Sequence, residues 1–181
     1  MALKVNDQIT MELLQMEHAP ALFALVDSNR AYLREWLPWL DRTNSIADVE
    51  EFIRTMMRQY DSGHGPHFVL YFGGAICGVT GFHKIDKYNR LASLGYWLAE
   101  SCMGKGIMTM ATRELLKIGF GKYDLNKIEI HCAVGNARSR AIPERLGFTC
   151  EATLRQREWL YNRFVDHAIY SLLASAYITR P

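Results

Sequence analysis

The first third of the chain carries apolar residues at helical spacing in two stretches. The first predicts a helix over residues 17–29, and its apolar positions are Ala21, Leu22, Leu25 and Val26. A second helix is predicted to begin near Ser45, because Asp48 three residues later can complete a capping box. Its apolar stripe ends before the glycines and proline of residues 63–66. The run between the two helices, residues 32–40, is very apolar and is interrupted by Pro38.

From residue 67 onwards the pattern is dominated by strands. Residues 67–72 and 75–85 flank Gly73-Gly74, which is typical of a tight hairpin turn. The other predicted strands are residues 8–14, 91–98, 128–134, 148–159 and 164–173. Further helices are predicted over residues 106–120 and 137–146, with Gly147 closing the second of them. This alternation predicts an α/β or α+β fold in which helices cover a mixed sheet.

Composition and charge limit the class of protein. The chain has 181 residues, of which 49% are hydrophobic and 22% charged, so we expect one globular domain over residues 1–181. Lys and Arg number 21 and Asp and Glu 19, which gives a formal net charge of +2. This near-balance argues against a nucleic-acid partner held by bulk charge. A bound anion would have to be held by local groups.

No segment predicts a membrane helix, a signal peptide or a metal site. No apolar run reaches the roughly 18–20 residues that a membrane span needs, and the N-terminal residues lack the apolar segment of a signal peptide. The cysteines are widely spaced, at Cys77, Cys102, Cys132 and Cys150. We therefore expect reduced thiols in a cytoplasmic protein without membrane contact. Because the histidines show no HExxH spacing, no metal is expected.

Gly104-Lys105-Gly106 lies where a predicted strand ends and a helix begins. The N-terminus of a helix offers unpaired N–H groups, and glycines let backbone amides approach an anion, so this arrangement suits a phosphate. A glycine turn into a packed helix is the alternative. The P-loop pattern GxxxxGK[ST] is absent, and a dinucleotide fingerprint would need a third glycine at Thr109. A Rossmann-type nucleotide-binding protein is therefore a weaker interpretation.

A second motif supports a functional role for the glycine loop. Residues 136–148 read NARSRAIPERLGF and are predicted to run from a strand through a short helix into the next strand. Together with the glycine loop, they resemble the GCN5-related N-acetyltransferase (GNAT) superfamily. The runs EWLPWL at 35–40, LGYWL at 94–98 and GKGIMT at 104–109, with Glu158, resemble its RimJ/RimL-like branch of ribosomal-protein N-terminal acetyltransferases.

The resemblance implies a fold and a cosubstrate. The GNAT fold is a mixed, mostly antiparallel sheet of about seven strands, splayed between strands four and five, with helices on both faces. Acetyl-CoA would lie with its pyrophosphate on the loop amides and its pantetheine arm in the splay. The implied cofactor-binding residues are Leu98, Ala99, Met103, Gly104, Lys105, Gly106, Ile107, Met108, Thr109 and Asn136. Two of them depart from the family pattern, since Met103 replaces an Arg or Gln and Met108 a Gly or Ala.

The resemblance also implies catalytic positions. Many GNAT enzymes carry an acidic tyrosine on the last helix, but Pro143 occupies that position here. Ser139 matches a serine that lies near the thiol in the RimL-like branch, and Glu158 matches the proposed base. Each has a purely structural alternative, namely a helix-turn hydroxyl and a carboxylate in an ion pair. The implied substrate wall is Trp36, Trp39 and Tyr96, although such aromatics are often core residues.

The expected function is acetyl transfer from acetyl-CoA to a primary amine. The N-terminal α-amine of a protein, such as a ribosomal protein, is the first choice. With a pKa of about 7.7–8.0, such an amine needs only a modest base. The alternatives are a small amine (a polyamine, aminoglycoside or amino acid) and a non-catalytic acyl-CoA-binding sensor. A homo-oligomer and a reaction of Cys132 with CoA remain open.

Overall fold

The structure is a computed structural model that describes residues 2–178, without the side chains of Lys84 and Ile178. The strands are β1 Ala2–Lys4, β2 Ile9–Leu13, β3 His67–Phe72, β4 Ala75–Asp86, β5 Leu91–Leu98, β6 Lys127–Ala133, β7 Thr149–Leu160 and β8 Arg163–Leu173. The helices are α1 Ala19–Ser28, α2 Arg30–Arg34, α3 Ile46–Asp61, α4 Ile107–Lys117, α5 Ala137–Arg145 and α6 Ala174–Ile178. A π-helical turn over Ile118–Lys122 follows α4.

All eight strands form one sheet in the order β1-β2-β3-β4-β5-β6-β8-β7. Every neighbouring pair is antiparallel except β5 and β6, which are parallel. The mixed, mostly antiparallel sheet is therefore confirmed, but the expected count of about seven strands is low by one. The strand that was missed is β1, whose three residues are too few to show an alternating pattern.

The sheet is splayed between β5 and β6. The two strands pair from Leu91 and Lys127 only as far as Leu94 and Ile130. Beyond that point β5 continues to Leu98 and β6 to Ala133 without pairing to each other. This is the expected splay between strands four and five, because β1 shifts the count by one.

Helices cover both faces of the sheet. The largest core cluster joins one face to α4, for example Leu94 and Ile130 with Ala111 and Leu115. On the opposite face, Val49 and Ile53 of α3 pack with Leu22 of α1 against Val69 and Val79. Of the predicted apolar stripe of α3, Val49 and Ile53 are buried, Met56 and Met57 are partly buried, and Phe52 is exposed.

The predicted helix boundaries are mostly close, and one helix differs. Residues 17–29 are divided into a 3-10 turn at Met16–His18 and α1, and the short α2 follows directly. The second helix begins as predicted, since the Ser45 side chain accepts from the Asp48 N–H and completes the capping box. In the described part of the chain, no helix is both long and apolar enough to cross a membrane.

Glycines make the two predicted turns possible. Gly73 and Gly74 have φ values of +58° and +83°, and Gly147 after α5 has φ +73°. L-residues with side chains rarely adopt such values, so the hairpin turn and the end of α5 are local consequences of the sequence.

Candidate active site

A cleft of about 870 Å³ opens at the splay. Its walls come from the end of β5, the loop before α4, the first turns of α4 and α5, and the segment around residues 32–37. Most of the residues implied as cofactor-binding line it, namely Leu98, Met103, Gly104, Gly106, Ile107, Met108, Thr109 and Asn136. Ser139, Tyr96 and Trp36 line the same cleft.

The loop before α4 forms a cradle of backbone amides. Gly104 and Gly106 both have φ +73°, and Gly106 is the N-cap of α4. Because an α-helix cannot pair its first N–H groups internally, those of Ile107 and the next residues point out of its N-terminal end. With the positive end of the helix dipole, they suit a phosphate. Lys105 is not among the lining residues, and its Nζ lies 5.0 Å from the centroid of the Phe72 ring.

At the end of β5, the backbone groups of Leu98 face the splay, but those of Ala99 do not. The Ala99 N–H donates to the carbonyl of Cys77 at 2.8 Å, and the Ala99 carbonyl accepts from the N–H of Cys102 at 3.0 Å. Both backbone groups of Ala99 are therefore engaged. Because backbone groups of successive residues face opposite strand edges, those of Leu98 face the open side of the splay.

Asn136 caps α5 at the far side of the splay. Its Oδ1 accepts from the N–H of Ser139 at 3.1 Å. The capping role that the sequence offered as an alternative is therefore present. The side-chain nitrogen of Asn136 remains as a donor for a ligand in the cleft.

Ser139, Cys132 and Tyr96 meet where the strands separate. The Sγ of Cys132 lies 3.2 Å from the Oγ of Ser139, and the Oη of Tyr96 lies 3.5 Å from the same atom. Burial raises the pKa of the Cys132 thiol, although hydrogen bonds from Ser139 and Tyr96 oppose the shift. Burial also raises the pKa of Tyr96 well above its usual value, with a further contribution from Cys132. The Cys132 thiol and the Tyr96 hydroxyl are therefore protonated near neutral pH.

Three arginines that the sequence analysis did not single out also line the cleft, namely Arg113, Arg138 and Arg145. The Nη1 of Arg145 donates to the Oγ1 of Thr109 at 2.7 Å, which ties α5 to α4. The Nη1 of Arg138 lies 3.5 Å from the Sδ of Met103, the residue that replaces the usual Arg or Gln. The spacing of Arg138 and Arg145, seven residues apart on one helix, could have revealed this pair.

Of the three aromatic residues expected to form the substrate wall, Trp36 and Tyr96 line the cleft and Trp39 does not. The Trp36 ring packs over Gly135, where an added Cβ would lie 3.0 Å from it, and the Arg163 guanidinium carbon lies 5.9 Å from the ring centroid. Trp39 does not line the cleft but packs on Trp97, with ring centroids 6.1 Å apart. Its partly buried ring packs against the cluster of Val26, Leu33 and Leu40, which favours the structural alternative noted for aromatic residues.

Glu158 stands apart from the cleft, on β7. Its Oε2 lies 3.3 Å from the Nε2 of His167 on β8, and His167 pairs with Ala133 at the end of β6. Cys132 packs in the core on the α4 side, so alternation along β6 places Ala133 and His167 on the opposite face. The Glu158 carboxylate thus lies on that opposite face of the sheet, beside the His167 imidazole.

The histidines form no metal site in the described residues. His64 and His67 are three residues apart, but the Nδ1 of His64 lies 2.8 Å from the carbonyl of Ile85. Within residues 2–178, no group of three or more His, Cys, Asp or Glu side chains could hold a metal ion.

Comparison with known proteins identifies the family. A model of the "Acetyltransferase (GNAT) domain" matches residues 8–149. The chain belongs to the GNAT family. It is 39% identical over 171 residues to the "Putative ribosomal N-acetyltransferase YdaF" of Bacillus subtilis strain 168, and the match covers 94% of this chain and 93% of that protein. The resemblance inferred from the loop and from residues 136–148 is therefore confirmed, as is acyl transfer as the enzyme class.

Solved structures of GNAT enzymes place a ligand in this fold. One is RimL, a ribosomal L7/L12 alpha-N-protein acetyltransferase in complex with coenzyme A, joined to it through a cysteine disulfide. It has a TM-score of 0.93 and 27% identity, with 97% of this chain and 99% of that chain covered. Another is the microcin C7 self-immunity acetyltransferase MccE with acetyl-CoA and AMP, with a TM-score of 0.89 and 32% identity, covering 94% and 95%.

Proposed function

We propose that this GNAT enzyme transfers the acetyl group of acetyl-CoA to the N-terminal α-amine of a protein, with a ribosomal protein as the first candidate. The observation that carries the proposal is the splayed sheet. An amide cradle and Ser139 lie on the α4 side of the splay, and the Glu158–His167 pair lies on the other face.

The chain's own groups supply three functions in this proposal. The cradle of Gly104 and Gly106, with the nearby arginines, holds the phosphates, and the Leu98 edge orients the pantetheine arm. Acetyl-CoA supplies an activated acetyl thioester. Glu158, which contacts His167 on the opposite face of the sheet, takes a proton from the incoming amine, and the hydroxyl of Ser139 donates a hydrogen bond to the sulfur that leaves.

The choice of acceptor rests on chemistry and on relatives. A free α-amine is on the order of 10% neutral at pH 7, against about 0.04% for a lysine side chain, so it needs a weaker base. Relatives named as ribosomal acetyltransferases match nearly the whole chain. A ribosomal acceptor also agrees with the cytoplasmic location that we expect from the cysteine pattern.

The decisive experiment measures CoA release over a panel of acceptors. The panel contains N-terminal peptides of ribosomal proteins, the same peptides with a blocked α-amine, spermidine, an aminoglycoside and free amino acids. We expect turnover on free N-terminal peptides and none on the blocked ones. Faster turnover on a small amine would move the enzyme to the small-amine class. Tight CoA binding without turnover on any acceptor would make the protein a sensor.

Arg138 is predicted to supply the phosphate contact that is missing at residue 103, where Met103 replaces the Arg or Gln of the family pattern. Changing Arg138 to Gln should raise the Kd of CoA by about fivefold, because a charge-assisted contact to phosphate is lost. Isothermal titration with CoA and with dephospho-CoA measures the effect, and the deficit should shrink as salt is added. Arg155 on β7 does not line the cleft, so Arg155→Gln is the matched control. An equal Kd for wild type and Arg138→Gln at low salt would contradict the assignment.

Cys132 provides a chemical marker for the position of the CoA thiol. We expect CoA disulfide to modify Cys132, because its thiolate would attack one sulfur and release one CoA thiol. Since burial raises the pKa of Cys132, the reaction should be slow at neutral pH and faster as the pH rises. Peptide mass spectrometry locates the adduct, and Cys132→Ser is the control. Modification confined to the exposed Cys150 would place the thiol elsewhere.

A further inference from the structure

The carbonyl of Ser139 lacks its usual partner within α5. In an α-helix a carbonyl accepts from the N–H four residues later. Here that residue is Pro143, which has no N–H and whose ring also crowds this carbonyl. A polar backbone group so close to the reaction center needs another donor, because leaving it unpaired costs free energy.

Tyr96 supplies the donor from the other side of the splay. Its Oη–H donates to the Ser139 carbonyl at 3.0 Å. Tyr96 lies on β5 beyond Leu94, the last residue of this strand paired with β6, and Ser139 lies in the first turn of α5. The hydrogen bond therefore joins the two sides of the cleft.

This contact completes the restraint of Ser139. Its N–H is held by Asn136, its carbonyl by Tyr96, and its Oγ lies 3.2 Å from the Sγ of Cys132. With both backbone groups fixed, the hydroxyl has only the rotation about its own side chain left. Such restraint is what a group that must meet a leaving atom requires.

We infer that Tyr96 is a positioning residue for Ser139, and that Pro143 creates the acceptor through which it acts. This inference rests on the proposed function. The Oη–H of Tyr96 on β5 takes the place of the N–H that Pro143 lacks, and it orients Ser139.

Changing Tyr96 to Phe tests the hydrogen bond with little change in shape. We expect kcat to fall about tenfold, because an acceptor is left unpaired and Ser139 gains freedom, while the Kd of CoA stays within about twofold. A wild-type kcat for Tyr96→Phe would overturn the inference. An equal loss in CoA affinity would also overturn it, since Tyr96 would then act on the cofactor and not through Ser139.

The sharper test is rescue by a backbone N–H. In Tyr96→Phe/Pro143→Ala, the alanine N–H can pair with the Ser139 carbonyl, so kcat should recover most of the tenfold loss. Pro143→Ala alone shows what the proline itself contributes. If the double variant is as slow as Tyr96→Phe, or slower, the coupling through the carbonyl does not exist.

Urea unfolding of the same four proteins separates this inference from the proposed function. The free energies of unfolding should be non-additive, with Tyr96→Phe less destabilising in the Pro143→Ala background. Tyr88 is 94% exposed, so Tyr88→Phe with Pro143→Ala is the additive control. If the effects of Tyr96→Phe and Pro143→Ala on the free energy of unfolding are additive, the inference is wrong, even if the enzyme is active. If the two effects are coupled but the protein acetylates no peptide, the inference holds and the proposed function is wrong.

Discussion

Changing Glu158 to Gln is expected to lower kcat about 20-fold at pH 6.5 with little effect on the Kd of CoA. The amide keeps the size of the side chain and can still contact His167, but it cannot take a proton from the amine. Only acceptor that is already neutral then reacts. The deficit should therefore shrink as the pH rises through the pKa of the α-amine, about 7.7–8.0. Initial rates on one peptide from pH 6 to 9, for wild type and variant, measure it.

His167 is predicted to act together with Glu158. Because its imidazole lies 3.3 Å from the Glu158 carboxylate, His167→Gln should show the same pH-dependent deficit. Glu151, also on β7 but paired with Lys127 at 2.7 Å, is the control carboxylate, and Glu151→Gln should keep the wild-type profile. Equal rates for Glu158→Gln and wild type across the range would remove Glu158 as the base.

The fold was largely predictable because its signals are local. The Gly73-Gly74 turn, the Ser45 capping box and Gly147 each act over a few residues, and the structure shows all three. β1, α2 and α6 were missed because each has five residues or fewer, too few to show a period. α2 also depends on a contact with a distant part of the chain. The Asn29 side chain before α2, for example, accepts from the N–H of Glu100.

Within the candidate site, the part formed by backbone groups was the most directly predictable from local sequence. The glycine loop depends on φ values and on the start of a helix, and the sequence indicates both. The position of Trp39 in the core, the engagement of Ala99 and the reach of Tyr96 to Ser139 depend on how distant elements pack. No spacing along the chain encodes a contact between residues 96 and 139.

Changing Gly106 to Val is expected to raise the Kd of CoA at least about tenfold. Gly106 has φ +73°, which a β-branched residue adopts only with strain on the order of 1–3 kcal/mol. Steric crowding does not cause this loss of affinity, because an added Cβ would have only the Cε of Met110 within 4 Å, at 3.7 Å. In the free enzyme the exposed loop can relax away from this conformation. Binding must restore it, so the strain appears as lost affinity, measured by calorimetry with CoA.

The matched control separates the cradle from a general loss of stability. Gly73 has φ +58° in the β3–β4 turn, and nothing lies within 4 Å of an added Cβ. Gly73→Val should therefore lower the Tm by a similar backbone penalty and leave the Kd of CoA unchanged, because this turn does not line the cleft. If Gly106→Val binds CoA as tightly as wild type, or if both variants lose affinity equally, the amides after Gly104 do not hold the phosphates. The nearly neutral chain would then have to bind its anion through Arg113, Arg138 and Arg145, and binding would weaken steeply with salt.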